Sequence, residues 1–324
     1  MNGLRILIYL LLLFSAQAQA GSYELARDAE SRQDWSEAVR LYRATVLDEP
    51  AKLDAWLRLS DVHSRMGEWS TAGEVMREAA SHHPDEAEVF FRAARAFSQA
   101  ERPEAGLAMA RRSVELAPDN PDHLETQGSL AGWLGLGALA IESFERALEL
   151  SPERTRLLLP LGLQKAWNGQ IDEGASLVRR YLDVHPERTD AMLHLVDFEI
   201  WRGSYAAAMR VLADYRALAG EDRAYLGKQA RILAWTRQRD EAMPILDRLL
   251  ADEPENIDLL YSRTLALRET EPARALESLA SVERLSPTTR DTIDLGRSTR
   301  LPLRNRMFVA LDGFRDSDSI RTTA

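Results

Sequence analysis

The sequence predicts an all-α fold, a superhelical solenoid of about eight helix–turn–helix repeats, on three observations. Helix-ending residues recur at a fixed period. Pro50, Pro84, Pro118, Pro152 and Pro186 are each 34 residues apart, Gly220 takes the next place, and Pro254 and Pro287 follow at 34 and 33. A small residue recurs at one phase between them: Ala38, Ala72, Gly106, Ala140, Gly174, Ala208, Ala242 and Ala275. The third observation is the stretch Pro121 to Pro152, PDHLETQGSLAGWLGLGALAIESFERALELSP, which reads as two antiparallel helices. Gly128 and Ala140 let the pair approach closely, and Leu124, Phe144 and Leu148 fill the space between. Pro152 stops the second helix because it has no N–H for the next backbone bond. Such a pair cannot bury its apolar faces alone, so pairs must stack.

Taken in order, residues 1–20 differ from the rest. Arg5 precedes the apolar run Ile6 to Phe14, and Ala18-Gln19-Ala20 closes it in the small-residue pattern of a signal-peptide cleavage site. The solenoid is expected over residues 21–287. Its first repeat carries Trp35, Ala38 and Tyr42 behind a polar first helix suited to capping the stack. Repeat two places Trp56, Leu59, Gly67, Trp69, Ala72 and Ala79 in phase, with Trp35 and Trp69 expected in the core. Repeat three uses Phe90, Ala94 and Phe97, with Pro103 at its turn; repeat four opens on Asn120-Pro121, a capping side chain followed by proline at the first helical position. Arg237 replaces the usual turn glycine of repeat seven, which predicts a differently shaped turn there. Repeat eight is one residue shorter, with its turn near Glu269 to Pro272. Residues 288–305 show no apolar stripe and read as a linker. Residues 306–324 open on strand formers, Met307-Phe308-Val309-Ala310-Leu311, followed by the polar cluster Arg315-Asp316-Ser317-Asp318-Ser319. A lone strand has nothing to pair with, and the chain reads as cut short there.

Composition narrows the function. The formal charge of −10 with no basic stripe argues against a nucleic-acid partner. There are no cysteines, so an exported chain would rest on packing alone, and Gly21 stands where a lipoprotein needs its Cys. The six histidines are scattered, and no HExxH, glycine-rich phosphate loop or Gly-x-Ser-x-Gly elbow is present. No catalytic residue, metal site or cofactor is therefore expected, and the chain is read as a non-enzyme.

The 34-residue period, with Leu124, Gly128, Gly135, Ala140, Phe144, Ala147 and Pro152 at positions 4, 8, 15, 20, 24, 27 and 32 from Pro121, resembles the tetratricopeptide repeat (TPR). The resemblance covers residues 21–287. It implies a concave groove lined by positions 2, 5, 9, 12 and 13 of each first helix. Trp133, Trp167, Trp201 and Trp235 all fall at position 13, each 34 residues from the next. Either they pack over the turns and serve the stack, or they form an aromatic track on which sugar rings or extended peptides lie. The implied groove also holds Asp61, Phe91, Asp197, Arg231 and Tyr261. Its acids outnumber its bases, which favours a neutral or cationic ligand, and the lysine at position 13 that would clamp a C-terminal carboxylate is missing.

A second resemblance is narrower. Ala230 to Asn256, ARILAWTRQRDEAMPILDRLLADEPEN, is similar to repeats of bacterial envelope proteins that join periplasmic TPRs to an outer-membrane β-barrel, exopolysaccharide export porins among them. That resemblance implies a periplasmic scaffold that binds or guides an exported polysaccharide and contacts other envelope proteins. It also implies that residues 306–324 are the first strand of a truncated β-barrel, or else a docking tail, with the outer membrane involved only if the tail continues as a barrel. The competing expectation is a soluble periplasmic adaptor that binds other proteins and no glycan.

Overall fold

A computed structural model describes residues 21–301, and every regular element among them is helical. The chain divides into two compact units, the first ending at Gln170 and the second beginning at Ile171. The first unit contains α1 (Ser22–Ser31), α2 (Trp35–Asp48), α3 (Leu53–Arg65), α4 (Trp69–His82), α5 (Ala87–Gln99), α6 (Pro103–Leu116), α7 (Pro121–Trp133), α8 (Gly137–Leu150) and α9 (Leu158–Trp167), the last entered through the 3₁₀ turn Thr155–Leu157. The second contains α10 (Ile171–Val184), α11 (Thr189–Trp201), α12 (Tyr205–Ala219), α13 (Arg223–Trp235), α14 (Arg239–Asp252), α15 (Ile257–Leu267), α16 (Pro272–Leu285) and a final helix, α17, over 290–301. Odd-numbered helices are the first of each pair. Within each unit consecutive helices pack together, and successive first helices touch side by side, α5 on α7 and α11 on α13 on α15.

One small turn closes the pairs. Residue 15 of the repeat has positive φ in seven of them: Gln33, Gly67, Glu101, Gly135, Gly169, Gly203 and Arg237. The next residue donates its N–H back across the turn, as Leu136 does to the Ala131 carbonyl at 2.8 Å and Gln238 to that of Leu233 at 2.9 Å, the six-to-one bond of a Schellman motif. Arg237 therefore takes the same turn as the glycines, with φ 61°, and the different turn expected there is not found. The closing hydrogen bonds hold the left-handed residue against its own steric preference. Repeat eight, one residue shorter, turns instead between Leu267 and Pro272, as its length predicts.

Inside each pair the approach is close. A Cβ on Gly128 would sit 2.8 Å from the buried Phe144 ring, and one on Gly106 would lie 3.0 Å from Leu130 of the next helix pair. The core lies between the stacked helices, with Trp56, Tyr42, Phe97 and Phe144 fully buried in the first unit and Phe198, Leu212, Ile232 and Leu246 in the second. Trp69 departs from the core role expected of it and is 37% exposed. Trp35 is half-buried, packed on the first core cluster with Arg65 over its ring. Where proline is missing, Gly220 ends α12 with φ 80°, and Asp222 caps α13 by accepting from the Tyr225 N–H at 2.8 Å. The same carboxylate accepts from the Tyr215 hydroxyl at 2.7 Å.

The linker expected over 288–305 is corrected in part, because 290–301 is helical. Its buried side is Thr292, Leu295, Gly296 and Thr299, a proper i, i+3, i+4, i+7 stripe. Only one of the four is a large apolar residue, which is why the stripe is invisible to a hydrophobicity count. Leu295 joins the core of the last pairs. The signal segment expected over 1–20 and the strand expected in 306–324 lie outside the described residues.

Two outcomes follow. Glu101→Gly should stabilise the protein by about 1 kcal/mol, and Gly135→Ala should destabilise it by a similar amount, because only glycine adopts this turn without steric cost; urea unfolding measures both. Burial, aided by the hydrogen bond to Asp222, pushes the Tyr215 phenol from its ordinary 10.0 up to about 12. The unfolded state then loses this proton first, so the stability it represents is complete below pH 10 and disappears as pH rises toward about 12. Tyr215→Phe should flatten that part of the alkaline unfolding profile.

Candidate functional site

In the first unit the side-by-side faces of α3, α5 and α7 form two adjoining pockets. One, of 510 Å³, is lined by Asp61, Ser64, Trp69, Glu88, Arg92 and Arg95 among others. The other, of 490 Å³, is lined by Phe91, Arg95, Ser98, Asp122, Glu125 and Arg156 among others. Asp61 and Phe91 are thus brought to one face, as expected. The acids there do not stand free. Arg92 donates to Asp61 at 2.8 Å and to Glu88 at 2.6 Å. Arg154 reaches Asp122 at 2.6 Å and Glu125 at 3.1 Å, and Arg156 reaches Glu125 at 2.5 Å. The hydrogen bond from Arg154 holds the Asp122 carboxyl below the usual aspartate value. Phe91 stacks on the buried His123, ring centroids 4.5 Å apart and planes 20° from parallel.

The four tryptophans fall two in each unit and do not share one environment. Trp133 is 55% exposed and Trp167 58%, and no aromatic ring stacks on either among the described residues. In the second unit Trp201 is 43% exposed and touches Phe198, with centroids 5.4 Å apart. Trp235 is instead covered. It stacks on Tyr205 at 6.4 Å with Tyr261 tilted against it at 6.5 Å, and its indole N–H is buried without a hydrogen-bond partner among the described residues. Of the two roles open to the ladder, Trp235 therefore takes packing and Trp133 and Trp167 take exposure. Tyr261 belongs to the same packed cluster, and burial raises its phenol above the ordinary value.

Asp197 and Arg231 meet in an ion cluster on α11 and α13. Lys228 donates to both Asp197 oxygens at 2.6 Å, and Arg231 lies 3.4 Å from one of them. The adjacent pocket of 530 Å³ runs over α13 and α15, with Gly227, Lys228, Arg231, Asp258 and Ser262 in its lining. Burial pushes the nearby His194 imidazole below its ordinary value. Sequence reasoning missed the cations that neutralise these acids. Arg58, Arg92 and Lys228 all sit at repeat position 6, one step from the positions sampled, and each pairs with an acid of the preceding repeat, Arg58 with Glu30 at 3.6 Å. That recurrence was available as a signal. Glu199, 1% exposed and bound by Arg179 and Arg202, had no such signal.

Chemically the two faces offer aromatic surface, hydrogen-bonding groups and paired charges. Among the described residues no three His, Cys, Asp or Glu side chains are grouped to hold a metal ion, and no helix is long and apolar enough to cross a membrane. The exposures make a stability prediction. Trp133→Ala and Trp167→Ala should each change the unfolding free energy by less than about 0.5 kcal/mol. Trp56→Ala, which empties a site only 1% exposed, should cost about 3–5 kcal/mol in the same denaturation experiment.

Residues 53–96 and 167–232 match family models described as tetratricopeptide repeat. No curated protein matches the chain. Among solved structures it is similar to YrrB, described as a TPR protein with an unusual peptide-binding site, with a TM-score of 0.53 and 16% identity over 58% of this chain and 97% of that one. It is similar to a tetratricopeptide repeat protein from Parabacteroides merdae, with a TM-score of 0.51 and 17% identity over 76% of this chain and 100% of that one. A third likeness is to the APC/C hetero-tetramer Cut9–Hcn1, with a TM-score of 0.53 and 14% identity over 82% of this chain and 52% of that one. At these identities the likeness is one of fold. With the helix pairs and their common turn, the two family matches show tetratricopeptide repeats in this chain.

Proposed function

We propose that the chain is a non-catalytic adaptor that holds an extended segment of a partner protein along its first-helix faces. The observation that carries this reading is the exposure of Trp133 and Trp167, 55% and 58%, at one repeated position within the first unit. A large apolar side chain left bare once needs no explanation, but repeated exposure at one phase marks a contact surface. Tyrosine- and tryptophan-rich surfaces bring much contact area at low entropic cost. The peptide-binding site in the description of YrrB supports the same ligand class. The signal-like residues 1–20 support action in an exported, periplasmic compartment among envelope proteins.

A second reading, guidance of an exported polysaccharide, is favoured by one specific feature. Trp133 and Trp167 present indoles on which no ring of the described protein stacks, and a bare indole face suits a sugar ring as well as a peptide. The two readings separate in one titration. Full chain and the variant W133A/W167A/W201A are titrated with a random-sequence peptide pool and with a soluble bacterial exopolysaccharide, with far-UV circular dichroism as the folding control. Peptide binding that disappears in the folded variant supports the adaptor. Glycan binding that disappears there supports the export reading. Binding of either ligand that the variant retains in full removes the tryptophans from the site.

A further inference from the structure

The two adjoining pockets of the first unit both include Arg95 and Gln99 in their walls. Their charges are Asp61, Glu88, Asp122 and Glu125 against Arg92, Arg95 and Arg156, with Arg154 completing the set from just outside. Four acids therefore meet four arginines, and this face is neutral in a chain whose formal charge is −10. The pairing is uneven. Arg92, Arg154 and Arg156 satisfy all four carboxylates, and Arg95 pairs with none of them.

Arg95 is held by other means. Its guanidinium lies over the Phe91 ring, 5.6 Å from the centroid, and Phe91 is itself fixed by its stack on buried His123. A cation over an aromatic face keeps its in-plane N–H donors free, because the ring occupies only the flat side. One turn further along α5, the Ser98 hydroxyl and the Gln99 amide have no hydrogen-bond partner among the described residues, and both line the pocket that holds Phe91. A free guanidinium on a fixed platform beside two uncommitted polar side chains is an arrangement for one carboxylate, since a planar fork of donors matches its two oxygens. The neighbouring acids do not repel such a guest, because each is already neutralised.

We propose that Arg95, with Ser98 and Gln99, forms a subsite for the side-chain carboxylate of an aspartate or glutamate in an extended peptide lying across α3, α5 and α7. This rests on the adaptor reading and names its sequence preference. It also reverses the preference for a cationic ligand that counting acids along the sequence suggests.

The test uses the full chain and fluorescein-labelled, C-terminally amidated decapeptide pools of Ala, Ser, Leu and Tyr, with Glu, Gln or Lys fixed at the centre. Anisotropy titration should show the Glu pool binding about tenfold tighter than the Gln pool, the size expected of one charge-assisted contact. Arg95→Ala should bring the Glu pool to the level of the Gln pool and leave the Gln pool unchanged. Arg95→Glu should shift the preference to the Lys pool. Arg95 makes no ion pair among the described residues, so the thermal midpoint should not move, and Arg95→Gln serves as a second neutral variant should the alanine form fold poorly. Equal binding of the Glu and Gln pools, still weakened in W133A/W167A, would overturn the carboxylate subsite and leave the adaptor standing. A preference that appears only when the peptides carry a free C-terminal carboxylate would overturn its assignment to a side chain. Binding of none of the pools would overturn both.

Discussion

Everything in this chain depends on how closely two antiparallel helices can approach. At Gly128 the Phe144 ring sits where a side chain would begin, and at Gly106 the next pair's Leu130 does the same. These contacts let rings and leucines interlock across the narrow gap, and the burial they allow supplies the favourable term of folding. A single pair leaves its outer apolar stripe bare, so each pair completes the core of its neighbour. The left-handed turn at repeat position 15 serves the same end, because it reverses the chain in few residues. Its geometry is fixed by the six-to-one hydrogen bond and not by the residue type, which is how Gln33, Glu101 and Arg237 occupy a position otherwise given to glycine.

Packing of this kind settles one side of each first helix and leaves the other to electrostatics. There the acids are bridged, most of them to arginine or lysine one repeat on. Asp61 to Arg92 and Asp197 to Lys228 are separated by 31 residues each. Such bridges tie neighbouring first helices together, though partly exposed pairs of this sort contribute little stability each. Their greater consequence is to cancel the charge of the face, so that what remains legible to a partner is aromatic surface and a few uncommitted donors. The tryptophans divide accordingly. Trp235 is covered by Tyr205 and Tyr261, whereas Trp133 and Trp167 have no aromatic neighbour among the described residues.

The repeat itself was open to a reader of the sequence. Proline and small-residue spacing placed the helix pairs, Asn120 was recognisable as a cap, and the shortened eighth repeat announced its own turn. Other features were hidden for identifiable reasons. Helix α17 buries Thr292, Gly296 and Thr299 around Leu295, a helical stripe built from residues that a hydrophobicity scale scores as polar or neutral. Trp69 lies at a consensus core position but stays 37% exposed beside Asp61 and Arg92. Lys228 and Arg92 sit at position 6 of the repeat, one step outside the positions that the resemblance assigns to the groove.

By itself, the sequence determined the period, the helix boundaries, the spacing of tryptophan at one repeat position and the excess of acid, since each depends on residues close together in the chain or on a fixed repeat. Which tryptophans are covered, which acids are neutralised and which arginine is left without a partner were decided only by the tertiary structure. Those outcomes depend on the side chains that stacking brings across from a neighbouring helix, and a repeat read in isolation does not contain them.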